Sequence, residues 1–347
     1  MITKLQVANF RGIRSMTLDA LKDVNVFVGK NNCGKTSALE ALFFWACVNR
    51  PDAAIILNHL RRLTSSASEL LTLLFHNSQH ESPIEISAEV NGVKTCIRAK
   101  TFISETKEVS ISEGVNGQQL MSSPKMDGIK VFIIRNGGKE ELCYSLTLQT
   151  NGEIGINRVP KQLDAPDLHY LAVHYKDDNS IGKIIAANRE PEIVEALKPF
   201  APNIRNIKIG GENKVVLVDE GRRISLPLEL QGDGVVRATQ IFSKILAADS
   251  GSIVLIDEID NGMHASTLKT FWKTLVSLAQ EKHVQIFATT HSWESLAMLK
   301  GALEENETLQ NFVSVINFVR RAEDNINAYP YDYPSFRDAV ESDIDIR

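Results

Sequence analysis

A glycine-rich stretch, Gly-Lys-Asn-Asn-Cys-Gly-Lys-Thr at residues 29–36, constrains the fold of this 347-residue chain more than any other feature. It follows the apolar run Val-Asn-Val-Phe-Val and precedes the apolar helical pattern Ala-Leu-Glu-Ala-Leu-Phe-Phe-Trp. A strand, a G-x-x-x-x-G-K-[ST] loop and a helix in this order predict a phosphate-binding loop, with a chance match in an ordinary turn as the alternative. The predicted ATP-binding residues in this stretch are Gly29, Lys30, Asn31, Asn32, Cys33, Gly34, Lys35, Thr36 and Ser37.

Two side chains of this phosphate loop (residues 29–36) have specific predicted roles. Lys35 is expected to reach the β- and γ-phosphates of a nucleotide, and the Thr36 hydroxyl to hold Mg²⁺. The glycines allow the backbone to curl so that its N–H groups face the phosphates. The sequence therefore predicts ATP and Mg²⁺ as cofactors.

Two Asp-Glu pairs each follow an apolar run, and their surroundings distinguish them. Asp219-Glu220 is followed by a glycine and then by the alternating pattern Arg-Arg-Ile-Ser-Leu-Pro-Leu, which is typical of a hairpin turn. Asp257-Glu258 is preceded by a helical pattern and followed by a helix and another strand, as in a parallel nucleotide-binding sheet. We therefore predict that Asp257 binds Mg²⁺ and that Glu258 is the catalytic base that polarises the attacking water.

The order of elements in the second half of the chain indicates an α/β fold. A helix over 234–248, a strand over 252–256, a helix over 264–280 and a strand over 284–288 alternate along the sequence. Such alternation predicts a parallel sheet with crossover helices. His291 follows the last of these strands, at the sheet edge where the Asp-Glu pair is expected. We predict that it is catalytic and contacts the γ-phosphate, and a purely structural histidine is the alternative.

The domain organisation follows from the same patterns. Residues 1–50 and 224–347 are predicted to form an ATPase core, with residues 51–223 inserted into it. In the insertion, period-two alternation over about 83–150, with Asn-Gly and Gly-Gly pairs between the runs, predicts an antiparallel β lobe. Residues from about 160 to 200 are predicted to be helical.

A second glycine-rich turn precedes the helix at 234–248. Its residues are Gln231, Gly232, Asp233 and Gly234, and we call them the glycine bend. The phosphate loop already provides for this chain's own nucleotide. A second anion-facing turn at a helix start is therefore predicted to serve the nucleotide of another copy. Two copies facing head to tail would then be joined by ATP and released by its hydrolysis.

Charge and cysteine usage limit the functional classes. The net charge is −5 and the isoelectric point about 6.0, values that do not indicate a nucleic-acid-binding protein, although a local basic stripe stays compatible with them. The four cysteines show neither CxxC pairs nor metal spacing, which favours free thiols in a reducing compartment. No apolar run approaches the roughly 18 residues of a membrane span. We expect a cytoplasmic protein without a membrane partner.

The order of these motifs resembles a known family. A phosphate loop, a distant glycine bend, a strand ending in Asp-Glu and a histidine after the next strand resemble an ABC-type ATPase of the SMC/RecF-like branch. The opening Leu-Gln-Val-Ala-Asn-Phe-Arg-Gly-Ile strengthens the resemblance, and Ile-Asp-Glu-Ile-Asp-Asn-Gly-Met-His is most similar to OLD-related ATPases. The resemblance covers residues 1–50 and 224–320. It implies an ABC-ATPase head, in which a parallel sheet with flanking helices is joined to an antiparallel β lobe.

The resemblance also implies roles for individual residues. Arg11 is expected to approach the nucleotide, and a surface arginine is the alternative. Asp260, Asn261 and His264 are expected to form a loop across the dimer interface, with capping of the following helix by Asn261 and Gly262 as the alternative. Gln231 stands where such signatures usually have a serine, which predicts slow turnover. Gln79 is a positional candidate for the glutamine loop, or else an exposed loop residue.

The partner expected from the resemblance is a separate effector. OLD nucleases carry a Toprim domain, whereas this chain leaves too few residues after a strand at 312–320 to build one, and Asp-Ile-Asp-Ile-Arg at 343–347 is interpreted as an acidic tail. We therefore expect an ATPase that regulates or scaffolds a nuclease or toxin in anti-phage defence.

Two other functions stay open at this level. A RecF-like repair ATPase would clamp duplex DNA, helped by the basic pairs Arg61-Arg62, Arg222-Arg223 and Arg320-Arg321, which otherwise are solvated surface. A nucleotide-locked structural protein with almost no turnover would fit Gln231.

Overall fold

The computed structural model describes residues 1–103, 126–159, 168–171, 179–210, 215–219 and 224–342. The strands are β1 (Ile2–Phe10), β2 (Ile13–Leu18), β3 (Val24–Val28), β4 (Ile84–Val90), β5 (Val93–Phe102), β6 (Gly128–Arg135), β7 (Glu141–Leu148), β8 (Ile154–Arg158), β9 (Leu168–Leu171), β10 (Ile204–Ile209), β11 (Val215–Asp219), β12 (Ile224–Pro227), β13 (Ile253–Ile256), β14 (Gln285–Thr289), β15 (Val313–Arg320) and β16 (Asn325–Tyr331). The helices are α1 (Lys35–Ala46), α2 (Ala53–Leu60), α3 (Ala67–Thr72), α4 (Asn179–Ala186), α5 (Glu190–Leu197), α6 (Asp233–Ala247), α7 (Ala265–Lys282), α8 (Trp293–Glu305) and α9 (Tyr333–Glu341).

One continuous sheet runs through the molecule in the order β8-β7-β6-β5-β4-β1-β2-β16-β15-β3-β14-β13-β9. Its last five strands, from β15 to β9, are mutually parallel. Strands β3, β13 and β14 are buried along their whole length, as expected for parallel strands covered by helices on both faces. Because these strands are parallel, the chain segments that follow β3, β13 and β14 all leave the sheet at one edge.

The antiparallel half of the sheet contains the predicted β lobe. Strands β4 to β8 form a meander that pairs with β1, so the lobe continues the sheet of the core instead of forming a separate one. The Asn91-Gly92 pair has positive φ at both residues, 51° and 79°, which matches the two-residue turn expected between β4 and β5. The lobe extends past residue 150, because β8 at Ile154–Arg158 is its last strand.

Two hydrophobic clusters lie on the two faces of this sheet. One contains the side chains of α1, α2 and the lobe, and it includes Phe10, Phe44 and Phe75. The other contains α4 to α9, with Phe242, Phe271 and Trp272 among its largest members. Helix α1 is buried at ten of its twelve positions, because the lobe and the parallel strands pack on different sides of it. The fold is thus an α/β sheet with helices on both faces, as predicted.

The prediction of a helical stretch at 160–200 is wrong in part. Residues Leu168–Leu171 form β9, which pairs in parallel with β13 at the end of the main sheet. Four residues carry too little pattern to distinguish a buried edge strand from a helix, and the pairing with β13 decides the outcome. Helices α4 and α5 follow in the second half of the stretch, whereas residues 160–167 and 172–178 lie outside the described ranges.

Asp219 of the first Asp-Glu pair ends a strand that pairs with the next strand of the chain in antiparallel fashion, as predicted from its context. Strands β10, β11 and β12 form a separate antiparallel sheet, in which β11 ends at Asp219 and pairs with β12. Glu220 and the Arg222-Arg223 pair lie outside the described residues, as does the acidic stretch at 343–347.

Candidate functional site

The phosphate loop connects the central strand β3 to helix α1. Gly29 has φ 137° and Gly34 has φ 101°, a region that L-residues with a side chain rarely adopt. A Cβ on Gly29 would come within 2.6 Å of the Phe318 carbonyl oxygen, and one on Gly34 would overlap Ile326. Both glycines are therefore required by backbone conformation and by the close approach of β15 and β16.

The Lys35 side chain lies along the loop that precedes it. Its Nζ donates to the carbonyl oxygens of Gly29 at 2.6 Å and Lys30 at 3.0 Å, and it lies 3.7 Å from Cys33 Sγ. From the opposite side, Arg320 Nε donates to the Asn32 carbonyl at 2.7 Å. The loop is thus held closed by two cations that bind its carbonyl groups, which leaves its N–H groups to face an anion.

Strand β13 brings the Asp-Glu turn (Asp257-Glu258) beside this loop. The Thr36 hydroxyl lies 3.2 Å from Asp257 Oδ1 and 3.3 Å from Oδ2. The Thr289 hydroxyl at the end of β14 donates to Asp257 Oδ1 at 2.6 Å and accepts from the Glu258 N–H at 2.8 Å. Thr289 therefore fixes both acidic residues at once. It was missed in the sequence, although its position at the end of a buried strand was a usable signal.

These segments enclose a cleft of about 250 Å³ at the carboxyl edge of the parallel strands. Its lining contains the predicted loop residues from 31 to 37, both acidic residues and the predicted histidine, together with three residues that the sequence did not indicate. The lining residues are Asn31, Asn32, Cys33, Gly34, Lys35, Thr36, Ser37, Arg61, Asp257, Glu258, Thr289, Thr290 and His291. His291 is exposed, as a side chain that meets a ligand from the open side would be.

The donor set at this edge suits Mg²⁺. A threonine hydroxyl and a carboxylate that lie within about 3 Å of each other are hard oxygen ligands, the kind that Mg²⁺ takes from a protein when phosphates and water complete its shell. The described residues hold no cluster of three or more His, Cys, Asp or Glu side chains with metal-binding geometry. The Thr36–Asp257 pair therefore fits an ion bound together with a nucleotide.

The glycine bend lies outside this cleft. Gly232 is the N-cap of α6, and it and Asp233 are exposed. A Cβ on Gly232 would meet no atom within 4 Å, whereas one on Gly234 would contact the Gly262 carbonyl oxygen at 3.6 Å. No residue of the bend is among those that line the chain's own cleft. Its inner side thus packs on the segment after Glu258, and its outer side faces away from the body of the chain.

The predicted interface loop forms a tight turn between β13 and α7. The Asn261 N–H donates to the Glu258 carbonyl at 3.1 Å, and both Asn261 and His264 are exposed. The N-cap of α7 is His264, whose Nδ1 accepts from the Ser266 N–H at 3.2 Å. The alternative in which Asn261 and Gly262 cap this helix is therefore wrong. A role for Asp260, Asn261 and His264 in an interface stays a prediction.

Arg11 is buried and does not line the cleft, so the alternative of a surface arginine is wrong. It is 9% exposed, its Nε lies 3.4 Å from Glu40 Oε2, and its Nη1 donates to the Leu73 carbonyl. Burial lowers the pKa of this guanidinium, and the Glu40 carboxylate partly offsets the shift. Its approach to a nucleotide stays a prediction. Gln79, the positional candidate for a glutamine loop, is exposed and also lies outside the cleft.

Arg61 reaches the cleft that Arg11 does not. Its Nε and Nη2 donate to the two Glu40 oxygens at 2.6 and 3.0 Å, and Nη2 lies 3.5 Å from Ser37 Oγ. Burial opposes its charge, but the hydrogen bonds to Glu40 raise the pKa of Arg61 above the usual value. Glu40 is 1% exposed on α1, so it ties both arginines to the helix that begins at the phosphate loop. Arg61 could not be chosen from sequence, because it lies 25 positions after the loop's threonine.

Comparisons with known proteins agree with this geometry. A model described as an AAA ATPase domain matches residues 1–114, and a model described as an AAA domain, putative AbiEii toxin, Type IV TA system, matches residues 150–297. A protein of Helicobacter pylori described as an ATP/GTP phosphatase is 24% identical over 336 residues, which cover 88% of this chain and 90% of that protein. The DNA replication and repair protein RecF of Francisella tularensis is 35% identical over 77 residues, which are 22% of this chain and 18% of RecF.

Solved structures share the fold. The SMC head bound to the C-terminal winged-helix domain of ScpA superposes with a TM-score of 0.56 at 12% identity, covering 95% of this chain and 97% of that one. An SMC head with an extended coiled coil, bound to a ScpA domain derived from Pyrococcus furiosus, gives 0.50 at 11% identity, with 98% of each chain covered. No helix in the described ranges is long and apolar enough to cross a bilayer. The two domain models and the residues around the cleft support an ATPase, and the solved structures show that the chain has the fold of an SMC head.

Proposed function

We propose that this protein is a Mg²⁺-dependent ATPase that closes around ATP as a head-to-tail dimer and regulates or scaffolds a separate effector, a nuclease or toxin, in anti-phage defence. The main observation in favour of this dimer is the position of the glycine bend. It lies at the start of a fifteen-residue helix, faces outward, and contributes nothing to the cleft of its own chain. Leu230, which precedes it, is 69% exposed, an apolar surface that a second copy would cover.

The residues of one chain have different roles at the cleft. N–H groups of the phosphate loop and the N-terminus of α1 hold phosphate oxygens, and Lys35 supplies a positive charge. Glu258 accepts the proton of the attacking water. The hydrogen bond from its N–H to the Thr289 hydroxyl orients Glu258 toward the cleft. The exposed His291 donates to the terminal phosphate. Thr36 and Asp257 would hold Mg²⁺, which would supply positive charge against the phosphates.

Support for an effector comes from the relatives. One matching domain model is described by a putative toxin of a Type IV toxin–antitoxin system, and it covers the segment with the glycine bend and the Asp-Glu turn. The SMC heads of similar fold are described as bound to domains of ScpA, a separate chain. A head of this fold can therefore present a docking surface to another protein, which is the property that the proposal needs.

The dimer is tested by Glu258→Gln, which removes the base and keeps the size of the side chain. We expect turnover to fall by about 10²–10⁴-fold and the variant to accumulate as an ATP-bound dimer, measured by light scattering with and without ATP. Glu281→Gln, in an exposed position on α7, is the matched control. If ATP leaves the oligomeric state of both the wild type and Glu258→Gln unchanged, the proposed dimer is wrong.

A second candidate function is a RecF-like clamp on duplex DNA, which the local similarity to RecF favours. Duplex binding that weakens steeply between low and high salt would indicate phosphate contacts and support this function. Of the basic pairs, Arg61 is bound to Glu40, and Arg320 is bound to the phosphate loop and to Asp324. Co-purification with the product of the neighbouring gene, in amounts that change with ATP, would instead support the effector.

A further inference from the structure

Arg237 on helix α6 is a buried arginine that the proposed chemistry does not yet use. It is 6% exposed, and its Nη2 donates to the carbonyl oxygens of Asp257 at 2.7 Å and Glu258 at 2.9 Å. Nη2 carries two N–H groups, one for each of these hydrogen bonds. Its Nε is buried without a hydrogen-bond partner among the described residues. A buried cation with an unsatisfied donor is costly, so its placement against two successive carbonyls needs an explanation.

The backbone that Arg237 binds has an unusual conformation. Glu258 has φ 47°, in the left-handed region, which is unfavourable for a residue with a long side chain unless the surroundings hold it. Here the surroundings supply three hydrogen bonds. Thr289 Oγ1 accepts from the Glu258 N–H, while Arg237 Nη2 and the Asn261 N–H both donate to the Glu258 carbonyl. The direction in which the Glu258 side chain leaves the backbone is therefore set by these contacts.

Charge also favours this arrangement. Burial lowers the pKa of the Arg237 guanidinium, but the nearby carboxylates of Asp257, Asp260 and Glu258 act in the opposite direction. The cation thus lies against the backbone of the acidic turn and is not among the residues that line the cleft. Arg237 is also only three residues after Gly234, where a Cβ would lie within 4 Å of the Gly262 carbonyl oxygen and the Met263 Cα. The start of α6 and the turn that carries Glu258 form one packed unit.

We propose that Arg237 is a positioning residue that holds Glu258 in the left-handed conformation required for its action on water. The inference deepens the proposed function and rests on it for the role of Glu258. Among the described residues, the Arg237 side chain donates hydrogen bonds to the backbone carbonyls of Asp257 and Glu258. It makes no hydrogen bond to the described residues of the phosphate loop. Its effect is therefore expected on the rate of hydrolysis and not on the affinity for ATP.

The first test compares Arg237→Gln with the wild type in kcat, KM for ATP and Tm. A displacement of Glu258 by about 1 Å should lower kcat by about 100-fold, while KM stays near the wild-type value because the phosphate loop is unchanged. Arg237→Lys keeps the charge but loses the planar guanidinium, so its kcat should lie between the two. Arg189→Gln, which removes a half-buried arginine that is paired with Glu192, is the control for loss of charge.

The second test is a double-mutant cycle, because it distinguishes an effect through Glu258 from a general effect on the fold. If Arg237 acts through Glu258, Arg237→Gln should lower single-turnover hydrolysis in the wild type but cause no further loss in the Glu258→Gln background. The same fold-loss in both backgrounds would overturn the proposal, as would wild-type kcat in either Arg237 variant. If Arg237→Gln does not fold, the cycle is measured with Arg237→Lys and judged in the same way. A Glu258→Gln variant with normal turnover would instead refute the role given to Glu258 in the proposed function.

Discussion

The molecule contains two glycine-rich turns at helix starts, and their surroundings differ. The phosphate loop is enclosed: its Gly29 and Gly34 have positive φ and lie against β15 and β16, and its carbonyls are bound by Lys35 and Arg320. The glycine bend is open, because Gly232 has an ordinary φ of −63° and no atom lies within 4 Å of the site of its missing Cβ. Two turns of similar composition are thus under different constraints.

This difference shows which part of a nucleotide site each turn can form. The enclosed loop has its shape fixed by its own chain, so it can bind phosphates before any partner arrives. In the open bend, a Cβ on Gly234 would lie within 4 Å of Gly262 and Met263, whereas a Cβ on Gly232 would meet no atom of the described residues within that distance. Glycine at 232 is therefore not demanded by the backbone of its own chain.

The largest effect is expected where the enclosed loop loses its cation. Lys35→Ala should abolish nucleotide binding, because the ammonium group is lost at the place where the phosphates lie. Equilibrium titration with a fluorescent ATP analogue measures this directly. Lys139→Ala, at an exposed position between β6 and β7 that does not line the cleft, is the control and should bind ATP normally. Unchanged ATP affinity in Lys35→Ala would refute the assignment of the loop.

Substitutions at Gly232 in the open bend should affect ATP-dependent association through the charge of the new side chain and not through its size. Gly232→Asp places a favoured N-cap residue at a position with space for it, so the free energy of unfolding should change by only about a few tenths of a kcal/mol and Tm by correspondingly little. A carboxylate that faces another copy's phosphates should nevertheless abolish ATP-dependent association, while ATP affinity persists. Gly232→Asn, which has the same shape without the charge, is the matched control. Association of Gly232→Asp equal to that of Gly232→Asn would show that the bend faces no phosphate.

Replacement of a glycine by alanine should have different effects in the two turns. Gly29→Ala requires a left-handed region for a residue with a Cβ and brings that atom to 2.6 Å from a backbone oxygen, so both stability and ATP binding should fall. In the glycine bend, by contrast, Gly232→Ala should preserve both the fold and the affinity for ATP, because a Cβ at that position meets no described atom within 4 Å.

The parts of the site that sequence predicted are those whose determinants are local. The phosphate loop carries its strand, glycines, lysine and helix in one short stretch. The hairpin around Asp219 and the strand at Asp257 could be distinguished by the elements on either side of them. The glycine bend could be recognised because a helix start and glycine spacing are also local properties.

The parts that sequence missed depend on contacts between distant segments. Arg61 is brought to the cleft by its pairing with Glu40, and Arg237 is chosen by the packing of α6 on the Asp-Glu turn. Neither residue has a neighbour in sequence that indicates its role. Strand β9 was predicted as part of a helix, because its identity comes from pairing with β13 and not from its four residues.

The smallest expected effect concerns Arg61, a cation at the margin of the enclosed site. Its guanidinium lies between the Glu40 carboxylate and the Ser37 hydroxyl, and its side chain is 39% exposed. If it contacts a phosphate, a charged hydrogen bond of about 1.5 kcal/mol is lost in Arg61→Ala, which raises KM for ATP about tenfold. The neighbouring Arg62, which is exposed and does not line the cleft, provides the control Arg62→Ala.

The Arg61 variant needs a measurement that separates binding from folding. Removing Arg61 leaves Glu40 buried with Arg11 alone, at 3.4 Å, so Tm should fall as well as ATP affinity. Arg61→Lys restores the charge near Glu40 and should recover much of the stability, but a single ammonium cannot bind both Glu40 oxygens and a phosphate in the same geometry. A lysine variant with wild-type Tm and a raised KM would therefore place Arg61 on the nucleotide. Wild-type KM in both variants would limit Arg61 to supporting α1, and the enclosed site would then rely on Lys35 for its positive charge.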